Sequence, residues 1–395
     1  MIVKKVVIDK ANRIYQFPPD VLSFSKEKSK RTLLKRTEFV DLARFHWPIQ
    51  LDKENLPSEI GFHPAGKKRI NQLKEALGEW FYAHHKVKIN SLKEIFIGGK
   101  ISQIIFNIAL AFIDNGDLVF VPELGIPLYK KVITACGGEA VSYSVTYKNH
   151  WLPDFERINT KLGRVARLLF LNSPHNPTGV VLNEKELENL IWLASKENIV
   201  IVNDAAYQSI SGRTPSSLMG INGGKKVGIE VYSFAYQFGL PAFPFGFVIG
   251  NKDIINGLEQ SSQLLSTTVP DYYIDLALKA IRHFPNQSLL NLRKQLIQSS
   301  AEANRLLELL SMEKSGHDTI PFIWAKIERR QQARTKAHLL YRRNRILTAP
   351  GTGFGDSGEG FLRFSLTASP DAYKSAYSLI KKKLRMVKFK IGEER

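Results

Sequence analysis

The sequence predicts an α/β protein: a mostly parallel sheet with helices on both faces, joined to a smaller α+β lobe. Three observations carry that expectation. From Gly61 onward, short apolar runs alternate with amphipathic segments of about a dozen residues, the pattern of βαβ units. The runs end in turn chemistry, as at Asn115-Gly116 and in Asn172–Gly179. The last third then changes character: a long helical region breaks at Pro285, and strand-like PFIWAKI and GFLRFSLTA follow. The resulting division is a large domain over 49–285 and a small one built from 1–48 and 286–395.

Taken in order, Ile70, Leu73, Leu77, Trp80 and Phe81 recur at helical spacing. Ile101–Ile113 reads as a buried helix and Leu118–Val121 as the strand after it. Arg167–Leu171 is a short apolar strand. Asn183 with Glu186 gives a capping-box pattern for a helix through Lys196. The strands Ile199–Val202, Val227–Phe234 and Phe245–Ile249 come next, and Ser288–Leu310 is helical. In a sheet of this kind a ligand sits beyond the carboxyl ends of the strands. That directs attention to Asn176, to Asp204 and Tyr207, and to Ser233–Phe238.

The bulk numbers exclude several classes. The longest apolar stretches, such as Ile104–Ile113, are too short to cross a bilayer. The first residues carry no signal-type apolar region, and the single cysteine, Cys136, excludes an internal disulfide framework. A cytoplasmic protein with no membrane contact is the expectation. No metal-ligand spacing is present, so no metal is expected. The net charge of +19, from 56 Lys plus Arg against 37 Asp plus Glu, favours acidic partners. Its concentrations at 26–36, 329–345 and 381–390 come without any nucleic-acid-binding signature, and a solvated basic surface explains them equally well.

Read singly, the candidate residues each have an ordinary alternative. Asp204 closes an apolar strand, where an aspartate caps helices and shapes turns, or faces a cationic ring nitrogen. Tyr207, three residues on, could offer its hydroxyl to the same ligand. Asn176 lies in HNPTG and could merely shape that turn. Arg363, in the alternating FLRFSL, needs a carboxylate or phosphate, or a structural ion pair.

Together and in order, IALAFIDNGDLVFVPE, NSPHNPTGVVL, IVIVNDAAY, GGKKVGIEVYSF, FGFVIGN and PGTGFGDSGEGFLRFSLT resemble the class I/II aminotransferases of fold type I. The nearest branch contains LL-diaminopimelate aminotransferase-like enzymes, and the resemblance covers roughly Gly61–Lys382. It implies a seven-stranded type of sheet, pyridoxal phosphate as cofactor, a homodimer, and an amino-acid-like ligand. Asp204 would hold the pyridine nitrogen, Tyr207 and Asn176 the phenolic oxygen, and Ser233 the phosphate, with Gly99 and Lys100 at a helix start that can bind an anion. Arg363 would clamp a substrate carboxylate.

The family's Schiff-base lysine falls at Tyr236, in Ser233-Phe234-Ala235-Tyr236. A phenol forms no imine, and with an ordinary pKa near ~10 it is a poor base at neutral pH. Lys225 and Lys226 precede the strand and should lie at its far end. Around the same cofactor Pro244 replaces an arginine, Gly99 a serine or threonine, Phe62 a tyrosine and Ile126 a stacking aromatic. The family's glycine-rich substrate loop reads LARFHWP, so Phe45, His46 and Trp47 should crowd a region kept open in active relatives. The expected function is that of a degenerate homologue without transaminase activity, the cofactor being noncovalent or absent. Two other readings stand beside it. One is an enzyme holding the cofactor or its amine form noncovalently, as in the fold-type I sugar dehydratases with histidine for lysine, with Tyr236 as acid or base. The other is a nucleic-acid-binding protein using the basic surface.

Overall fold

The computed structural model describes residues 39–47, 63–155, 166–210, 215–240, 243–265, 268–328 and 332–393. After the short strand β1 (Val40–Asp41), helix α1 (Lys67–His85) buries Leu73, Leu77, Trp80 and Phe81 on one stripe. It stops where Lys86 adopts a left-handed φ of 59°. The next elements are β2 (Ile95–Gly98), α2 (Ile101–Phe112), β3 (Leu118–Pro122), α3 (Leu128–Ala135), β4 (Glu139–Val145) and β5 (Pro153–Asp154). Then follow β6 (Ala166–Asn172), α4 (Glu184–Glu197), β7 (Val200–Asp204), α5 (Gly224–Val227), β8 (Gly228–Ser233), α6 (Phe234–Phe238), β9 (Gly246–Gly250) and α7 (Lys252–Leu265). The capping pattern ahead of α4 closes as its sequence implies. Asn183 Oδ1 accepts the Glu186 N–H at 3.0 Å and Glu186 Oε2 accepts the Asn183 N–H at 2.6 Å.

These strands make one eight-stranded sheet in the order β2-β9-β8-β7-β6-β3-β4-β5. Neighbours from β4 to β8 are parallel, while β9 runs antiparallel against both β8 and β2. The eighth strand is β5, a two-residue antiparallel addition on β4. It is too short to show alternation in the sequence, and with it the sheet has one strand more than the seven that the family resemblance implies. Both faces are covered. One face packs Leu171, Ile201 and Tyr232 under Leu77 of α1 and Leu190 of α4. The other packs Phe170, Val202 and Val231 against Ile105 of α2, Val132 of α3 and Leu258 of α7.

Helix α8 (Asp271–Arg282) ends before Pro285, and α9 (Gln287–Leu309) leads into a second layer. Its strands are β10 (Glu313–Lys314), β11 (Phe322–Lys326) and, after α10 (Ala333–Asn344), β12 (Ile346–Leu347), β13 (Ala349–Pro350) and β14 (Phe361–Ser365). Helix α11 (Pro370–Glu393) lies against α9. The sheet β10-β11-β14-β13 is antiparallel throughout, and β1 pairs in parallel with β12. Leu42 enters the core of this lobe beside Leu292, Phe322 and Phe364, and its carbonyl accepts the Ser365 N–H at 2.7 Å. The segment 39–47 thus joins the smaller lobe.

Among the described residues no helix is long and apolar enough to cross a membrane, and no three His, Cys, Asp or Glu side chains gather as metal ligands.

Candidate functional site

Three parallel strands, β6, β7 and β8, end side by side, and the chemistry-bearing residues lie in the crevice beyond them. Asn172 stands opposite Asp204 in register, and its Nδ2 donates to the Asp204 carbonyl at 2.7 Å. The Asp204 carboxylate is fully buried. Its Oδ2 accepts the Tyr129 hydroxyl at 2.8 Å and its Oδ1 the Ala206 N–H at 3.1 Å. Burial pushes its pKa up to about 6, against the pull of those two donors.

Tyr129 is the functional neighbour that residue-by-residue reading missed. It sits in the first turn of α3, stacked on Phe170 at 5.2 Å, and its only sequence signal is its place at the end of PELGIPLY.

The turn after β6 brings in Asn176, whose Nδ2 reaches the Tyr207 hydroxyl at 3.5 Å. Asn176 Oδ1 accepts from Arg363 Nη1 at 2.9 Å, which ties the large sheet to β14. The second guanidinium nitrogen, Nη2, donates to the Ala43 carbonyl at 3.1 Å. Arg363 Cζ lies 3.8 Å from the centre of the Phe322 ring and 4.7 Å from that of Phe354. Burial pulls its pKa down to about 10, while Tyr207 and Tyr236 act the other way. Asn176, Tyr207 and Arg363, far apart in sequence, therefore form one hydrogen-bonded chain, and Asn172 joins it to Asp204 by accepting the Asn176 N–H at 2.8 Å while donating to the Asp204 carbonyl.

Tyr236 stands in α6, directly after β8, facing the same crevice. Trp47 lies almost parallel to its ring at 5.7 Å and 16°, Phe45 meets it edge-on at 4.9 Å, and Tyr207 is 5.2 Å away. Burial first, then the Asp204 charge, raises the Tyr236 pKa, and Arg363 opposes them. Phe45 and Trp47 thus crowd the crevice as the LARFHWP segment suggests. His46 does not join them: its N–H bonds Thr367 Oγ1 at 2.8 Å and its ring approaches Asp41 at 3.5 Å.

At the other end of the crevice the donors are thinner. Ser233 is buried at the end of β8, opposite Gly246. Gly99 and Lys100 precede α2, and the Lys100 N–H is taken by Gln103 Oε1 at 3.0 Å; a Cβ at Gly99 would meet that same oxygen. Pro244 and Ile126 are half-buried, and Phe62 lies outside the described residues. Lys225 is at the far end of β8, where its Nζ bonds the Lys88 carbonyl at 2.7 Å and Glu94 at 3.0 Å. Beside Ile126 and Phe354 a cavity of about 320 Å³ opens toward Lys130 and Arg334. Of the basic stretches, Arg334, Arg342 and Arg343 are exposed on α10 and Lys381–Lys383 on α11, while 26–36 lies outside the described residues.

Comparison with known proteins agrees with this architecture. The class I and II aminotransferase family matches residues 62–379. LL-diaminopimelate aminotransferase of Halothermothrix orenii is 29% identical over 397 residues, covering 95% of this chain and 98% of that protein. The enzyme of that name from Dehalococcoides mccartyi is 30% identical over 306 residues, 76% of this chain and 77% of its own. Among solved structures, BacF of Bacillus subtilis superposes with a TM-score of 0.84 at 22% identity, over 95% of this chain and 98% of that one. An aspartate aminotransferase of Thermotoga maritima gives 0.82 at 20%, over 95% and 100%. With its sheet order, its two lobes and a match spanning most of its length, the chain belongs to the class I and II aminotransferases of fold type I.

Proposed function

We propose that this chain keeps the aminotransferase architecture without transaminase chemistry, and serves as a binding or scaffolding protein. The observation that carries the reading is the packing of Tyr236. Where the family needs a primary amine, the chain carries a phenol held among Trp47, Phe45 and Tyr207. A phenol cannot form the imine, and burial beside the Asp204 charge keeps its proton on at neutral pH.

The residues fit pyridoxal phosphate only in part. At the pyridine end, Asp204 backed by Tyr129, and Tyr207 with Asn176, match what a ring nitrogen and a phenolic oxygen require. At the phosphate end Pro244 offers no guanidinium, Gly99 no hydroxyl, and the Lys100 N–H is already bonded to Gln103. A covalently attached cofactor does not fit this set, and no reaction step follows from one. Two further parts of the proposal rest on family habit and composition: a homodimer, and a cytoplasmic setting suggested by the single cysteine. So does the division into 49–285 and 1–48 with 286–395.

The test is to incubate the purified protein with pyridoxal phosphate, reduce with borohydride, and read the intact mass. No stable adduct is expected, and no amino transfer from LL-diaminopimelate. An adduct mapped to a lysine of the crevice, or measurable transfer, would overturn the reading.

The pair Asp204–Tyr129 and the chain Arg363–Asn176–Tyr207 favour one alternative: noncovalent pyridoxal or pyridoxamine phosphate, used on an amino-acid or amino-sugar substrate with Tyr236 as acid or base. Saturable pyridoxamine phosphate binding that is lost in Asp204→Ala supports it. Binding indifferent to that substitution removes it.

A further inference from the structure

Arg44-Phe45-His46-Trp47 alternates polar and aromatic residues, and the extended chain sends them to opposite sides. Arg44 and His46 are exposed, while Phe45 and Trp47 are half-buried against Tyr236. The backbone that carries them is pinned before and after the turn. Asp41 Oδ1 accepts the N–H groups of Ala43 and Arg44 at 3.0 and 3.2 Å, and the Leu42 carbonyl accepts the Ser365 N–H. Further on, Thr367 Oγ1 accepts the His46 N–H at 2.8 Å.

So held, the segment covers two groups of the crevice at once. The first is Arg363. A guanidinium grips a carboxylate by two bonds either along its Nη1–Nη2 end or along its Nε–Nη2 edge, so Nη2 takes part in both. Here Nη1 is given to Asn176 and Nη2 to the Ala43 carbonyl, while Nε has no partner among the described residues. A carboxylate coming to Arg363 therefore meets the Ala43 carbonyl on the nitrogen it needs. A carbonyl carries no net charge and leaves the cation unneutralised, which a carboxylate would not.

The second group is Tyr236. Trp47 lies nearly parallel to its ring and Phe45 meets it edge-on, and Phe45 also touches Trp47 and Phe322. The chain thus supplies from within itself an oxygen for the arginine and rings for the phenol.

Given the binding role assigned to the crevice above, we propose that segment 43–47 is an autoinhibitory strap, competing with carboxylate ligands of the crevice for Arg363 and Tyr236. Ligand binds in the fraction of molecules whose strap has lifted, so the apparent affinity falls by that fraction.

Titration calorimetry on the full chain with 3-phenylpropionate, and with its neutral amide as control, tests this. The acid carries a carboxylate for Arg363 and a ring for Tyr236. Trp47→Ala should tighten its binding by at least about tenfold, the effect of losing one aromatic pair and its burial from the strap. Thr367→Val leaves every group of the crevice in place and removes only the acceptor that pins His46. It should tighten the acid several-fold without leaving a hole, and it carries the test if Trp47→Ala does not fold. The amide should gain much less in both variants. The proposal is overturned if neither variant saturates with the acid on the order of 10 mM, if Thr367→Val matches the parent, or if the amide gains as much as the acid. Tighter acid binding in Trp47→Ala together with a borohydride-stable pyridoxal phosphate adduct would support the strap while overturning the loss of transaminase chemistry.

Discussion

Asp204 carries the clearest residue-scale consequence. Its folded pKa of about 6 lies above the ordinary aspartate value. The folded state therefore holds this proton more tightly, so its contribution to stability is greatest at low pH. That contribution fades as pH rises from about 4 to about 6, by an amount on the order of 3 kcal/mol. Asp204→Asn, which keeps an acceptor for Tyr129, should remove that slope. In urea unfolding at several pH values, the variant's stability relative to the parent should increase from pH 4 to pH 7. A difference moving the other way would mean the carboxylate is stabilised, not penalised, by its site. At this scale the retained residues were legible because each sits in its own short motif. Tyr129 was not, because a tyrosine in a helical turn has no signature until the fold places Asp204 beside it. Nor could spacing reveal that Arg363 spends one donor on Asn176 and another on the Ala43 carbonyl.

At the scale of elements, apolar runs bounded by turn residues located β3, β6, β7, β8 and β9 within a residue or two. The same chemistry gave α4 its start. The antiparallel direction of β9 was not legible, since a strand buried on both faces looks alike in either direction. Gly179 illustrates what an element-level constraint looks like once the fold is known. It has a φ of 75°, and a Cβ there would lie 2.2 Å from the His317 carbonyl oxygen. Both the backbone conformation and the approach of the smaller lobe require glycine. Gly179→Ala should therefore destabilise the chain by about 2 kcal/mol or more, measured by chemical denaturation. A loss of a few tenths would show that the turn relaxes freely. Asn183→Ala, by contrast, removes only a cap and should cost about 1 kcal/mol.

The whole molecule carries a charge of +19, and the described part of α10 and α11 displays much of it to solvent. Like charges spread over one surface repel and oppose compaction, and salt screens them within about 10 Å at 0.1 M. The melting temperature should accordingly rise by a few degrees between about 10 and about 150 mM sodium chloride. A flat profile would mean that the cations are neutralised within the fold.

The segment 39–47 has a consequence on this largest scale too. It is sewn to the smaller lobe through β12 and Ser365, and its Phe45 and Trp47 rings rest on Tyr236, which directly follows β8 of the large sheet. One ribbon therefore rivets the two lobes together at the very mouth between them. Swinging the lobes apart would have to peel Trp47 off Tyr236 and pull the Ala43 carbonyl from Arg363 at the same moment. In this chain the mouth between the lobes is fastened by a clasp.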